Sequence, residues 1–162
     1  MTHTLSPRIK LARLFGRFSR QLWPDLARRA GVTSKQVVNL VVGQPISANA
    51  YLRLCVVLEH DPLPDLPVPM GEVRPADLDQ VLFALGFRLR RGLNKHTTRQ
   101  AGEACGISAA TVMRLERGEV MSIGVVLRSC AFIQVHPFGY LRAVSEPRPV
   151  TRETFSELAA SP

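Results

Sequence analysis

The chain has 162 residues, 46% of them hydrophobic and 21% charged, enough apolar material for a core and too much for wholesale disorder. Apolar runs break within about ten residues, too short for a membrane-spanning helix, and the N-terminus carries no signal-peptide pattern, so a cytoplasmic protein without a membrane partner is expected. Lys and Arg number 21 against 13 acidic residues, a net charge of +8, and such a balance points to a polyanionic partner.

In chain order, Ser6-Pro7 reads as an N-cap followed by a first helical residue, with Ile9, Ala12, Phe15 and Phe18 on one face behind it. The stretch 23–42, WPDLARRAGVTSKQVVNLVV, reads as two short helices around Gly31, and Ser47 as the cap of a further helix. Segment 61–75, DPLPDLPVPMGEVRP, holds five prolines in fifteen residues. Proline blocks helix interiors, so this segment is expected to be an extended linker with a reach of at most about 45–50 Å. Beyond it, Leu78, Val81, Leu82, Leu85 and Leu89 recur at helical spacing and predict one face of an amphipathic helix, opened by Asp77 and Asp79, which suit its dipole. Residues 98–117, TRQAGEACGISAATVMRLER, again read as two helices around a glycine, and Ser122 caps the next. Glu146-Pro147-Arg148-Pro149 sets off a tail that could form a short helix. The expected fold is all-α: two tandem bundles of four to five helices, residues 1–60 and 76–145, joined by linker 61–75 and followed by tail 146–162.

The halves are related. A shift of 75 residues aligns 31–63 with 106–138 without a gap, matching Gly31/Gly106, Val37/Val112, Leu40/Leu115, Gly43/Gly118, Ser47/Ser122, Leu52/Leu127, Arg53/Arg128, Cys55/Cys130 and Pro62/Pro137. The matches fall on glycines and apolar sites, as duplication of one structural unit would leave them. Each copy has a small residue (Ala27, Gly102), a glycine four later (Gly31, Gly106) and a valine six beyond (Val37, Val112). Two steeply crossing helices need a small side chain where they touch. The glycine ends the first helix at positive φ, and the β-branched residue fills the angle. This is the pattern of a helix-turn-helix, whose second helix can enter the major groove of DNA.

Gly106-Ile107-Ser108, Arg114-Leu115-Glu116-Arg117-Gly118, Ser122 before an apolar helix, and Pro137-Phe138 after it resemble the Xre/Cro–phage repressor family. The resemblance covers about residues 78–142 closely and 6–60 more loosely. It implies five-helix domains that bind an operator in double-stranded DNA, usually as a dimer, without catalysis or cofactor. Carried over by position, it implies that Ser108, Ala109, Ala110 and Arg114 face bases, with Arg114 able to engage guanine, and that Thr98, Arg99 and Arg117 contact phosphate. It also implies an ion pair between Arg91 and Glu116. In the first copy the ion-pair positions hold Gly16 and Val41, while Thr33, Ser34, Lys35 and Asn39 stand where base readers belong. Val38, Val41 and Val42 make the end of that helix apolar, which leaves a protein-contact role for the first copy, or for the tail around Phe155 and Leu158, as the alternative to DNA reading.

Other constellations are weaker. Cys55 with His60 and Cys130 with His136 could suggest a metal, but both thiols fall on an inner helical stripe and are expected to be buried and metal-free. There is no P-loop, HExxH, CxxC or GxSxG pattern, and no enzymatic activity is expected. His96 falls at a usually apolar position and is expected to be packed or partly exposed. Trp23, with Pro24 at a helix start, could stack on a sugar-phosphate edge or pack inward.

Overall fold

The computed structural model describes residues 20–141. The helix expected from Ser6-Pro7 through Phe18, the Gly16 position and the tail with Phe155 and Leu158 lie outside the described residues. The fold is all-α. Among the described residues seven α-helices follow one another: α1 Trp23–Ala30, α2 Ser34–Val41, α3 Ala48–Val57, α4 Gln80–Leu93, α5 Thr98–Cys105, α6 Ala109–Glu116 and α7 Ile123–Ile133. Single 3-10 turns, Arg20–Leu22 and Pro137–Tyr140, precede α1 and follow α7. Among the described residues the one β-type pairing is an isolated antiparallel bridge, Leu78 to Leu141.

Local chemistry sets the helix boundaries. Thr33 and Thr97 build capping boxes with Gln36 and Gln100 at the starts of α2 and α5, each satisfying two otherwise orphaned backbone groups. Ser47 and Ser108 cap α3 and α6 by accepting from the amides of Ala50 and Thr111. Ser122 occupies the cap position of α7 in extended conformation, but its hydroxyl makes no capping bond. Gly31 (φ 62°) and Gly106 (φ 65°) end α1 and α5 in the left-handed region, where a side chain is disfavoured.

The duplication extends to hydrogen bonds. The amide of Val32 reaches the carbonyl of Ala27 at 3.0 Å, and that of Ile107 reaches Gly102 at 2.8 Å. Arg53 donates from Nη1 to the carbonyl of Gly31 at 2.8 Å, and its counterpart Arg128 donates to that of Gly106 at 3.0 Å. A cation thus braces each inter-helix turn from the following long helix. Gly102 is obligatory in its copy, since an added Cβ would stand 2.7 Å from the carbonyl oxygen of Ile107.

In α4 the regularly spaced face is not the buried one. Of its regularly spaced aliphatic stripe, Val81, Leu82, Leu85 and Leu89 are exposed, as is Leu93, while Leu78, just before the helix, is buried. The inner face is instead Phe83, Ala84 and Phe87. Phe83 stands edge-on to Tyr140 with ring centroids 5.3 Å apart, and Phe87 lies 5.2 Å from Phe132. Aromatic rings bury more apolar area than aliphatic side chains, so they take the core side of a helix with two apolar faces.

The proline-rich segment also differs from the extended tether. Leu66 turns back to the carbonyl of Leu63, and Asp61 accepts from the amide of Leu63 at 2.7 Å and bonds Nε2 of buried His136 at 2.9 Å. The amide of Leu78 donates to Asn49 of α3, and Arg53 pairs with Asp77 at 2.8 Å. Prolines exclude helix but leave side chains free to pack, so the segment straps the halves together. The helices α3 and α7 touch, and buried residues of both halves form one cluster that includes Tyr51, Leu54, Cys55, Phe87, Leu127 and Cys130. α3 and α7 are repeat counterparts, as are Asp61 and His136, so equivalent positions meet across the contact, as in an isologous pair.

Candidate nucleic-acid interface

Each copy presents a short helix that is buried on one side only. In α6, Val112 and Leu115 are 0% and 1% exposed, and they wedge the helix against α5 and α4. Its other side exposes Ala110, Met113 and Arg114, with Arg117 following and Ala109 and Thr111 half-buried. In α2, Val37 and Leu40 are buried, while Ser34, Lys35 and Val38 are exposed and Asn39 is half-buried.

Arg114 is tied at its base. Its Nε donates to Glu119 at 2.7 Å, and among the described residues its two terminal nitrogens have no hydrogen-bond partner, the arrangement a planar, two-pronged contact needs. Arg99 is exposed and pairs one turn on with Glu103. Thr98 is the first residue of α5 and half-buried, and the capping hydroxyl just before it belongs to Thr97. Lys35, Arg99, Arg114 and Arg117 are all exposed. Glu103 and Glu119 offset the charges of Arg99 and Arg114, so among the described residues Lys35 and Arg117 supply the net positive charge of this set beside α2 and α6.

Two of the candidate base readers have local work. The hydroxyl of Thr33 is engaged by Gln36, and Ser108 holds the amide and hydroxyl of Thr111. They set where α2 and α6 begin, and the outward positions of those helices start one residue later, at Ser34 and Ala109.

Arg91 and Glu116 meet. Nε and Nη2 of Arg91 reach the two carboxylate oxygens at 2.5 and 3.1 Å, and Nη1 donates to the carbonyl of His96 at 3.0 Å. Hydrogen bonding from Glu116 strengthens the hold of Arg91 on its proton. The pair locks the end of α6 to the end of α4, and so orients the exposed side of α6. In the first copy Val41 stands at the Glu116 position and packs against the core, while Val38 and Val42 are exposed.

Two outward residues escaped the sequence reading. Met113 is exposed in the middle of α6, and its repeat counterpart Val38 holds the same place on α2; both are apolar, which reads as core until the helix is oriented. Glu119 follows Arg114 by five residues, a spacing with no helical contact, because the chain turns at Gly118 (φ 76°).

The remaining candidates are placed as follows. Cys55, Cys105 and Cys130 are free and buried, and burial pushes the thiols of Cys105 and Cys130 up to about 11 and about 12. Among the described residues no group of three or more His, Cys, Asp or Glu is placed to hold a metal ion, and no helix is long and apolar enough to cross a membrane. Trp23 packs partly against the core with Arg20 over its ring, and Pro24 is the second helical residue. His96 is half-buried beside Phe132, ring centroids 6.0 Å apart. Comparison with protein-family models, curated proteins and solved structures returns no match.

Proposed function

We propose that this chain is a sequence-specific double-stranded DNA-binding regulator of the Xre/Cro–phage repressor type, acting without cofactor or catalysis in the cytoplasm. It represses by occupying a promoter with two recognition helices, residues 33–42 and 108–117. The observation that carries the reading is the side of α6 that stays open, Ala110, Met113 and Arg114, on a helix anchored by Val112, Leu115 and the Arg91–Glu116 pair. Arg114 reads guanine with its terminal nitrogens, Ala109, Ala110 and Met113 pack on thymine methyls, and Ser34, Lys35 and Asn39 read the second half-site. Thr98, Arg99 and Arg117 hold phosphates. The two helices differ in sequence, so one chain addresses two unlike half-sites, centred about one helical turn, roughly 34 Å, apart. With about six to eight phosphate contacts, log affinity falls against log salt with a slope of about −0.9 per contact.

A second reading is favoured by Val38 and Val42, which expose apolar surface on α2. In it the first half contacts a protein and only the second reads DNA. Selection of bound duplexes from a random library, followed by anisotropy titrations, separates the two. Arg114→Ala relaxes preference at one guanine by about 1–3 kcal/mol in both readings. Lys35→Ala with Asn39→Ala weakens selected-site binding by a similar amount if both halves read DNA and leaves it unchanged if one does. No enriched sequence, or no effect of Arg114→Ala, refutes the assignment of α6.

A further inference from the structure

The outer face of α4 carries Val81, Leu82, Leu85, Leu89 and Leu93, each between 49% and 68% exposed, opposite its buried face of Phe83 and Phe87. We propose that this face is the docking site of the chain's own tail, segment 151–160, TRETFSELAA, seated through Phe155 and Leu158. Size selects the occupant. Five aliphatic side chains exposed to that degree leave roughly 200–350 Å² of apolar surface, well short of the total of about 1,000 Å² that a contact between separate molecules needs. A tethered segment needs less, because a short link holds it at an effective concentration of about a millimolar.

The described residues end at the foot of this face. Leu141 bridges Leu78, and the carbonyl of Tyr140 accepts from the amide of Asp79, the cap residue of α4, at 2.7 Å. The antiparallel bridge sends the chain away from α4, and residues 142–150 leave length for the reversal that brings 151–160 back. Phe155 lies fourteen residues beyond Leu141, a reach of at most about 46 Å. With 14 residues, α4 is about 21 Å long, so the tail can lie along all of it. Gly92 has open space where a side chain would stand, and the shallow hollow there, lined by Leu85, Arg88, Leu89 and Leu93, takes the ring of Phe155. Phe155, Leu158 and Ala159 recur at the spacing with which one helix lays an apolar side on another. Charge also suits: beyond Arg152 the tail holds Glu153 and Glu157 and no basic residue, while Arg88 and Lys95, both exposed, stand in and just beyond the face. The competing segment, residues 5–18, is in register with α4 itself by the 75-residue offset, so its apolar positions belong to the first half.

Hydrogen exchange of the full chain, followed by mass spectrometry, tests the docking; with no DNA present, its result is independent of the proposed function. The amides of 153–160 are expected to exchange at least about tenfold more slowly than in an unstructured peptide of the same sequence, and equally so at about 1 and 100 µM chain. Leu85→Glu with Leu89→Glu is expected to abolish that protection while α5 and α6 keep theirs. A Leu89→Cys, Leu158→Cys variant is expected to close a disulfide within one chain under mild oxidation, since the native Cys55, Cys105 and Cys130 are buried. Should the glutamates unfold the second half, this cross-link alone decides. Unprotected 153–160 amides, protection that survives the glutamates in a folded chain, or the absence of an intrachain disulfide overturns the inference. So does protection or cross-linking that arises only between chains at the higher concentration, which marks a second copy, and so does protection of 5–18, rather than 153–160, that the glutamates remove.

Discussion

Arg53 and Arg128 brace the two turns through main-chain carbonyls, and Arg91 braces α6 through a carboxylate. These two kinds of contact were not equally legible. The Arg91–Glu116 pair follows from charge complementarity at positions known to pair in the resembling family. The repeat identity Arg53/Arg128 is visible, but not its purpose, because a carbonyl acceptor has no sequence signature. Removing Glu116 leaves a half-buried guanidinium that keeps only its bond to the carbonyl of His96. Glu116→Ala should therefore cost about 1–2 kcal/mol, read as a fall in Tm of about 5 °C. A paired replacement, Arg91→Met with Glu116→Leu, should recover most of that loss, because no charge is left uncompensated. An equal loss in both variants would mean that packing, rather than the ion pair, holds α6.

At the level of elements, α4 shows what periodicity can and cannot settle. Spacing identified a helix and a well-formed aliphatic stripe, yet the core took Phe83 and Phe87 from the opposite face. A helix with two apolar faces has two solutions to the same pattern, and the partners of each face, here Tyr140 and Phe132, are far off in sequence. The α5–α6 turn was better specified, since a small residue, a glycine and a valine must meet at fixed offsets. Gly102→Ala should cost about 1–3 kcal/mol by driving a Cβ into the carbonyl of Ile107. The first copy already holds Ala27 there, so Ala27→Gly should cost about 1 kcal/mol or less through helix propensity. Thermal denaturation of the two variants reads the contrast, and equal losses would count against the close approach in α5–α6.

For the whole molecule, the all-α class was plain in the sequence, as was the 75-residue internal match, whereas the joining of the halves was not. Five prolines imply extension until side chains such as Asp61 find distant partners. One consequence concerns pH. Burial raises Tyr51, Cys55 and Cys130, the last to about 12 from an ordinary thiol value of 9.0. The folded chain thus favours their neutral forms. This stabilisation is complete below about pH 9 and drains away as pH climbs toward 12, because the unfolded chain gives up those protons first. Tm should be level from pH 7 to 8.5 and fall above it, and Cys55→Ala with Cys130→Ala should make the alkaline fall shallower. A fall of the same steepness in that variant would place its origin elsewhere.

The meeting of α3 with α7, and of Asp61 with His136, brings matching places of the two copies face to face. A polypeptide of half this length, holding one copy, could satisfy the same surfaces only by associating with its twin. Covalent fusion removes that dependence on concentration and frees each copy from mirroring the other, so that Glu116 can persist in one while Val41 replaces it in the other.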